Sequence, residues 1–407
     1  MSNRRIEPVW LAQSFFDDFV LVYPVYAIMM LEHGVGELDL GVLFVIWSAS
    51  SLVFEIPSGV LGDLYDRRVY IFVGCLVRAG GYLAWWLMPT TPGFALGFIL
   101  WSLGSAIHSG TLESLLFDAL SAQGRVADFA RIYGRGKAAH GLGVLAAMAL
   151  GGYVAETGYT SVLLLSAAAP VVTGLIVLGG MSEPPRTLAT EAKSASFLDT
   201  LTTAGRALLG NPRLRRVSVV YVVLIGTYGT IDEFPGALLD QTSRAEGAAL
   251  SLGAIGLLYG AFVGAEAIGS AVAHRLQFLG HAQIGVASVI AHAVLLAALA
   301  AGVLMAWPVG VVLLTGGCAT YFALMGVVSV LLESSLQHEI DVGARATVTS
   351  FAGAALEVWG ILAYLVIGAT AAAHSWAAAL AVAAGIAVVI SMCVFYTAGP
   401  RAARNRS

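Results

Sequence analysis

The chain has 407 residues, of which 58% are apolar and only 11% are charged. Soluble globular proteins carry about 25% charged residues, so a soluble fold of this length would lack polar surface. The net charge of −4 is too small to indicate a nucleic-acid partner. The cysteines Cys75, Cys318 and Cys393 all lie inside apolar runs, so the sequence predicts neither a disulfide framework nor a metal site.

Apolar runs recur along the whole chain and predict an all-α membrane protein with twelve transmembrane helices of about 20 residues each. The predicted spans are 9–32, 38–60, 68–88, 93–121, 134–156, 159–181, 216–239, 250–275, 282–303, 307–337, 346–371 and 375–397. The longest polar interruption, 182–215, is the predicted linker between an N-terminal six-helix half (1–181) and a C-terminal six-helix half (216–407).

Positive charges predict the orientation of the chain in the membrane, because arginine and lysine are enriched on the cytoplasmic side. With the N-terminus in the cytoplasm, nearly all of them fall in cytoplasmic segments; Arg244 lies outside and Arg78 lies within a span. We therefore expect both termini and the central linker in the cytoplasm, and the protein in the inner membrane of a bacterium.

The two halves show a weak internal repeat. Tyr23-Pro24 aligns with Phe234-Pro235, and Glu55 aligns with Glu266, both at a separation of 211 residues. A parallel repeat of this kind predicts pseudo-symmetric halves with a pathway between them near the membrane midplane.

A short charged loop, 59–68, joins the second and third predicted spans. It reads Gly59-Val60-Leu61-Gly62-Asp63-Leu64-Tyr65-Asp66-Arg67-Arg68 and resembles the G-x-L-A-D-R-x-G-R-K loop of the major facilitator superfamily. The resemblance implies the fold of that superfamily and transport by alternating access. The run 109–118 in the fourth span is similar to a drug- and metabolite-efflux branch of proton antiporters. Of the antiporter signature G-P-x-x-G-G, the chain keeps Gly151-Gly152 without the preceding Gly-Pro.

The resemblance also implies a cytoplasmic gate. Asp63 resembles the residue that meets the start of span eleven, here near Arg345, when the inner side is closed. Arg67 or Arg68 would pair with an acid at the end of span four. The predicted gate residues are Glu55, Gly59, Asp63, Arg67, Arg68, Asp118 and Arg345, and Glu266 and Glu333 lie at a similar depth.

Ionisable residues at membrane depth are costly and usually face the bundle interior or a wet cavity. The predicted substrate- or proton-binding residues are Asp17, Asp18, Glu113, Asp232, Glu233, Glu357 and Arg78. Arg78 can neutralise one carboxylate, so the others must be protonated or paired with a mobile cation. Asp17 and Asp18 would point about 100° apart on a helix, so one of them is expected to face the cavity. The embedded histidines are expected to be packing residues: His108, His140 and His292.

Several aromatic residues lie at the same depth and could provide a wall for a flat organic cation. They are Tyr23, Tyr26, Trp47, Trp101, Tyr228, Phe234, Tyr259, Phe351 and Trp359.

These features favour a secondary active transporter that exports an amphipathic or cationic small molecule against protons. Its expected partners are that molecule, protons and the lipid bilayer, with no cofactor, and the expected state is a monomer. No G-x-x-x-x-G-K-[ST] loop occurs, so ATP is not the expected driver. Proton-coupled uptake, or transport of a specific metabolite or metallophore, stays open. A receptor or enzyme is disfavoured, because neither H-E-x-x-H nor a nucleophile elbow occurs.

Overall fold

The computed structural model describes residues 6–62, 65–108, 111–183, 206, 208–245, 249–305, 308–340 and 345–396. These residues form helices joined by short connections, and none of them lies in a β-strand. The helices used below are α1 (Ile6–Asp17), α2 (Tyr26–Glu32), α3 (Glu37–Gly62), α4 (Arg67–Leu87), α5 (Thr91–His108), α6 (Thr111–Ser121), α7 (Phe129–Glu156), α8 (Tyr159–Gly180), α9 (Pro212–Ile231), α10 (Pro235–Ala245), α11 (Leu252–Val272), α12 (His281–Leu304), α13 (Val309–Glu339), α14 (Arg345–Ala373) and α15 (Trp376–Tyr396).

The predicted all-α membrane fold is confirmed. Ten helical stretches among the described residues are long and apolar enough to cross a bilayer. α15 adds a shorter apolar stretch, Trp376–Met392. The first predicted span also has helical counterparts, but the prediction of one continuous helix over 9–32 is wrong, because α1 and α2 are separate.

The chain bends between α1 and α2 over residues 18–25. Pro24 lies in the bend and cannot donate a backbone hydrogen bond. Within the same bend, the N–H of Val22 donates a hydrogen bond to Ser166 Oγ on α8, at 3.0 Å. The bend is therefore held by a neighbouring helix, and it leaves α1 with its C-terminal end inside the protein.

A second interruption separates α9 from α10 at residues 232–234, immediately before Pro235. Asp232 ends α9, and its N–H bonds back to carbonyl oxygens of that helix. Tyr23-Pro24 and Phe234-Pro235 are the segments that the sequence repeat aligns, so both interruptions fall at aligned positions.

Packing divides the chain into two compact units. Unit 1 comprises Met1–Lys193 and Ser251–Gly260, and unit 2 comprises Ser194–Leu250 and Ala261–Ser407. Helices α1–α8 and the first part of α11 therefore belong to unit 1. The predicted boundaries of the two six-helix halves stay a prediction.

Glycines on α7 allow α1 to approach it closely. A Cβ at Gly143 would overlap the carbonyl oxygen of Phe15, and a Cβ at Gly151 would overlap that of Leu21. The position of a Cβ at Gly141, by contrast, has open space around it. This close approach brings the last turn of α1 against α7, as small residues do between membrane helices.

A buried apolar core packs α4, α6 and α8 against α1 and α7. It includes Trp10 of α1, Ile71 of α4, Leu115 of α6 and Ile132 of α7, with Val177 of α8 completing it. The charged side chains that these helices carry are therefore attached to a packed scaffold.

Candidate functional site

Two carboxylates at the end of α1 meet one arginine of α4. Arg78 Nη2 donates to Asp18 Oδ1, and Arg78 Nη1 lies 3.6 Å from Asp17 Oδ1. The Arg78 side chain is only 8% exposed, so its charge depends on these partners. A guanidinium keeps its proton in proteins, and this one offsets only one of the two carboxylate charges.

Two histidines lie against the same carboxylates. The ring of His140 faces the second oxygens of both: its Nδ1 is 3.9 Å from Asp17 Oδ2, and its Nε2 is 3.8 Å from Asp18 Oδ2. His108 Nε2 lies 3.5 Å from Asp17 Oδ1. The expectation that His108 and His140 serve in packing is wrong, because both face charged groups.

The two carboxylates differ in their hydrogen bonds. Asp18 accepts from Arg78 and from the hydroxyl of Tyr23, the latter at 3.3 Å. Within the described part of the chain, no hydrogen bond ends on Asp17, whose charged neighbours stand 3.5–3.9 Å away. An angle of about 100° between the two side chains is expected only when both lie on one helix. They do not, because α1 ends at Asp17. The end of the helix, and not its pitch, sets their directions.

A cavity of about 110 Å³ opens beside Asp17. One wall is a single face of α1, with the spacing i, i+3, i+4 and i+7: Trp10, Gln13, Ser14 and Asp17. The facing wall is a stripe of α7 with the same spacing: Tyr133, Gly136, Lys137 and His140. Residues of α5 and α6 complete the lining: His108, Leu112 and Glu113. Asp17 lines this cavity, and so does Glu113, the predicted site residue of α6.

Glu113 lies at the mouth of the cavity, with 46% of its side chain exposed. Its Oε1 accepts a hydrogen bond from the hydroxyl of Tyr133 at 2.9 Å and lies 4.0 Å from Lys137 Nζ. The Lys137 ammonium lies 5.3 Å from the centre of the Tyr133 ring, within cation–π range. Sequence reasoning passed over Tyr133 and Lys137, although the polar stripe of α7 could have indicated them.

Aromatic rings enclose another side of Arg78. Its guanidinium carbon lies 6.0 Å from the centre of the Trp101 ring. Tyr23 stacks on Trp101 with 5.2 Å between the ring centres, and the fully buried Tyr82 lies at the same distance from Trp101. Of the predicted aromatic residues, Tyr23 and Trp101 are therefore adjacent to the charged cluster.

Arg67, at the start of α4, joins two carboxylates. Its Nη1 donates to Asp118 Oδ2 at 2.7 Å, and its Nε donates to Glu183 Oε1 at 3.0 Å. Arg68 binds Asp66 instead, with 2.7 Å between Nη2 and Oδ2. Asp66 also caps the N-terminus of α4. Hydrogen bonds from the Arg68 side chain and from backbone N–H groups lower the pKa of Asp66.

The structure describes the remaining predicted gate residues only in part. Glu55 is exposed on α3, and Gly59 lies in the last two turns of that helix. Asp63 lies outside the described residues, as does the side chain of Arg345. Their predicted contact stays a prediction.

The predicted acids of the C-terminal half lie in unit 2. Asp232 and Glu233 occupy the interruption between α9 and α10, and Glu357 lies on α14. All three interact electrostatically with the buried Tyr364, also on α14. Unit 2 thus gathers three acids around one tyrosine.

Glu266 is linked to this group, because Tyr228 interacts electrostatically with both Asp232 and Glu266. Glu266 on α11 is close to Tyr228 on α9, and Glu333 accepts a hydrogen bond from a glutamine one turn further along α13. His292 is fully buried, and its Nδ1 lies 2.9 Å from the carbonyl oxygen of Ser288. His292 therefore occupies the packed environment expected from the sequence.

Apolar helices of membrane-spanning length, with paired charges between them, define a polytopic membrane protein. The family model of the Major Facilitator Superfamily matches residues 11–364, which is most of the chain. The protein belongs to this superfamily. It is a multi-pass integral membrane transporter, and its family implies a small-molecule substrate moved by alternating access.

Known proteins resemble this chain more in fold than in sequence. The Uncharacterized MFS-type transporter YxaM of Bacillus subtilis (strain 168) is 26% identical over 94 residues, which cover 22% of this chain and 23% of that relative. The crystal structure of the nucleoside transporter NupG matches with a TM-score of 0.75 and 16% identity, covering 98% of this chain and 99% of that one. A bacterial homologue of the human lysosomal transporter Spinster, inward-facing and occupied, matches with a TM-score of 0.73 and 14% identity over 97% and 95%. At these identities the structures show the fold alone.

Proposed function

We propose that this protein is a proton-coupled secondary transporter that exports an amphipathic or cationic small molecule while protons enter the cell. One observation carries the proposal: Asp17 and Asp18 converge on a single arginine, Arg78, beside a cavity. In this proposal the termini face the cytoplasm, and the cluster around Arg67 belongs to the cytoplasmic gate.

The charge balance of this cluster supplies the coupling. Two ionised carboxylates and one guanidinium leave one negative charge in excess, which is costly at membrane depth. Either a proton or a cationic substrate can offset that charge. Since both do so at the same carboxylates, binding of one favours release of the other, which is the requirement for exchange.

Asp17 is the better candidate for the exchanging carboxylate. Asp18 is held by Arg78 and Tyr23, whereas Asp17 lines the cavity and receives no hydrogen bond from the described residues. In this proposal Asp18 keeps Arg78 in place, and Asp17 alternates between proton and substrate.

The proposal is tested in proteoliposomes that contain a pH-sensitive dye in an acidic lumen. Ethidium or spermidine added outside should enter in exchange for protons and make the lumen more alkaline. Asp17→Asn should abolish this signal, and protein-free liposomes provide the background. A lumen that becomes more acidic would contradict exchange and support proton-coupled uptake, and an unchanged lumen with both cations would contradict coupling to cation movement.

A further inference from the structure

The residues that line the cavity between α1 and α7 carry buried polar atoms without hydrogen-bond partners among the described residues: Gln13 Oε1, Trp10 Nε1 and His108 Nε2. Gln13 is only 1% exposed, and its Oε1 has no hydrogen-bond partner among the described residues. The carboxylate of Asp17 also accepts no hydrogen bond from the described residues, although two histidines and an arginine lie nearby. Buried acceptors are nearly always paired, so the unpaired Oε1 of Gln13, in one lining with the partly exposed carboxylate of Asp17, indicates a guest that donates hydrogen bonds.

The charge of the lining indicates that this guest is a cation. The carboxylate pair of α1 exceeds Arg78 by one negative charge, and Glu113 adds another at the mouth. Lys137 offsets the charge of Glu113 from 4.0 Å, but with 63% of its side chain exposed it is not held in place by packing. The whole group therefore has one excess negative charge with the ammonium of Lys137 in place, and two when that ammonium is displaced.

The chain itself shows which kind of cation this lining holds. The ammonium of Lys137 lies over the ring of Tyr133 and close to the carboxylate of Glu113. An aromatic face next to a carboxylate is a combination that binds alkylammonium groups. A primary ammonium has three N–H donors and no acceptor, which matches the oxygens of Gln13 and Asp17.

We propose that the cavity is a primary-ammonium subsite formed by Gln13, Asp17 and Glu113, and that Lys137 is its internal competitor. The subsite specifies the cationic substrate of the proposed function and rests on it. A substrate ammonium enters past Tyr133, displaces the ammonium of Lys137 from Glu113, and donates hydrogen bonds to Gln13 and Asp17. A cavity of about 110 Å³ admits such a head group with a few carbon atoms, so the body of a larger substrate stays outside.

A divalent metal ion is the other cation that this region could hold. Asp17, Asp18 and His140 each offer a ligand atom, all within 4.8 Å of one another. Arg78 contacts both carboxylates, however, and a double positive charge beside a buried guanidinium would turn the excess negative charge into an excess positive one. The charge balance therefore favours the ammonium.

The test measures binding in detergent, without a proton gradient. Apparent affinities come from the concentration dependence of the unfolding midpoint. The probe is n-butylammonium, with n-butanol as its neutral analogue, butyltrimethylammonium as its analogue without N–H donors, and manganese chloride as the divalent cation. We expect stabilisation by n-butylammonium and by none of the other three.

Three variants locate the site. Lys137→Met should bind n-butylammonium about tenfold more tightly, because the competing charge is gone, and Glu113→Gln should bind it about tenfold more weakly. Arg131→Gln is the matched control on the same helix, since Arg131 pairs with Glu7 and Asp128 away from the cavity, and it should bind as the wild type does. A monodisperse elution profile confirms that each variant is folded.

The proposal is overturned if n-butanol or butyltrimethylammonium stabilises the protein as well as n-butylammonium, if manganese alone does so, or if Lys137→Met leaves the affinity unchanged. Failure of the subsite differs from failure of the transport proposal. Binding of n-butylammonium without proton exchange in liposomes refutes the coupling alone, and proton exchange without such binding refutes the subsite alone.

Discussion

The different environments of Asp17 and Asp18 predict different effects of the same isosteric change. Asp18→Asn removes the hydrogen-bonded partner of Arg78, whose side chain is 8% exposed. Breaking a buried ion pair costs about 3–5 kcal/mol. Asp17 remains 3.6 Å from the guanidinium and retains part of that energy, so we expect a loss of about 2–3 kcal/mol.

Asp17→Asn removes no hydrogen bond made by the described residues, because the charged neighbours of Asp17 lie 3.5–3.9 Å away. We expect a change in stability within about 1 kcal/mol. The effect should appear in transport instead, since the amide cannot take up a proton in exchange for a substrate. Asp17→Asn should therefore be a folded protein without proton exchange.

The assay follows tryptophan fluorescence of each purified variant during heating in detergent, at one scan rate, because unfolding of membrane proteins is often irreversible. The double variant with Asp18→Asn and Arg78→Met serves as a control. It removes the buried charge that Asp18→Asn leaves behind, so it should unfold at a higher temperature than Asp18→Asn alone. Equal loss of stability in Asp17→Asn and Asp18→Asn, or no loss in either, would refute the assignment of Asp18 as the partner that holds Arg78.

Three further predictions concern the scaffold of unit 1 and use the same unfolding assay. Gly143→Ala should lower the free energy of unfolding by about 1–3 kcal/mol, because its methyl group would overlap a backbone oxygen of α1. Gly141→Ala meets open space, so its stability should be unchanged or higher. Similar unfolding midpoints for the two variants would contradict the close packing of α1 on α7. Asp66→Ala should cost about 1 kcal/mol at neutral pH by removing the cap of α4. The pKa of Asp66 is lowered in the folded protein, so the stabilisation by its charge is present above about pH 4 and is lost as the pH falls through the folded-state pKa. A difference in stability between Asp66→Ala and the wild type that grows on acidification would contradict this role. Arg67→Gln should cost about 2–4 kcal/mol and Arg68→Gln less than about 1 kcal/mol, since only the first is buried between two carboxylates; the reverse order would contradict that environment.

The membrane helices could be predicted from the sequence because bilayer thickness fixes the length of an apolar span. The interruption after Asp17 was missed because its flanking residues are as apolar as a continuous span. Pro24 and the repeat partner Pro235 were both recognised as aligned positions. The bend is also held by a hydrogen bond from Val22 to Ser166, 144 residues away, and such a partner is not visible in a local pattern.

The charged site could be predicted in part for a similar reason. Asp17, Asp18 and Arg78 stand out because charges at membrane depth are costly and need a role. Their geometry could not be predicted, since the end of α1 sets it. The sequence predicts a packing role for His140, because a histidine alone does not reveal its neighbours. Its spacing from Lys137 along one face of α7 was a readable signal that the carboxylates of α1 would have a polar partner.

In the proposed mechanism, the cluster of Asp17, Asp18 and Arg78 holds either a proton or a cation. The most direct measurement is proton release when spermidine is added to the detergent-solubilised protein in weakly buffered solution containing a pH indicator. We expect the wild type to acidify the solution in proportion to protein concentration and Asp17→Asn to leave the pH unchanged. Spermidine binding to the wild type without proton release, or equal release by Asp17→Asn, would contradict this mechanism.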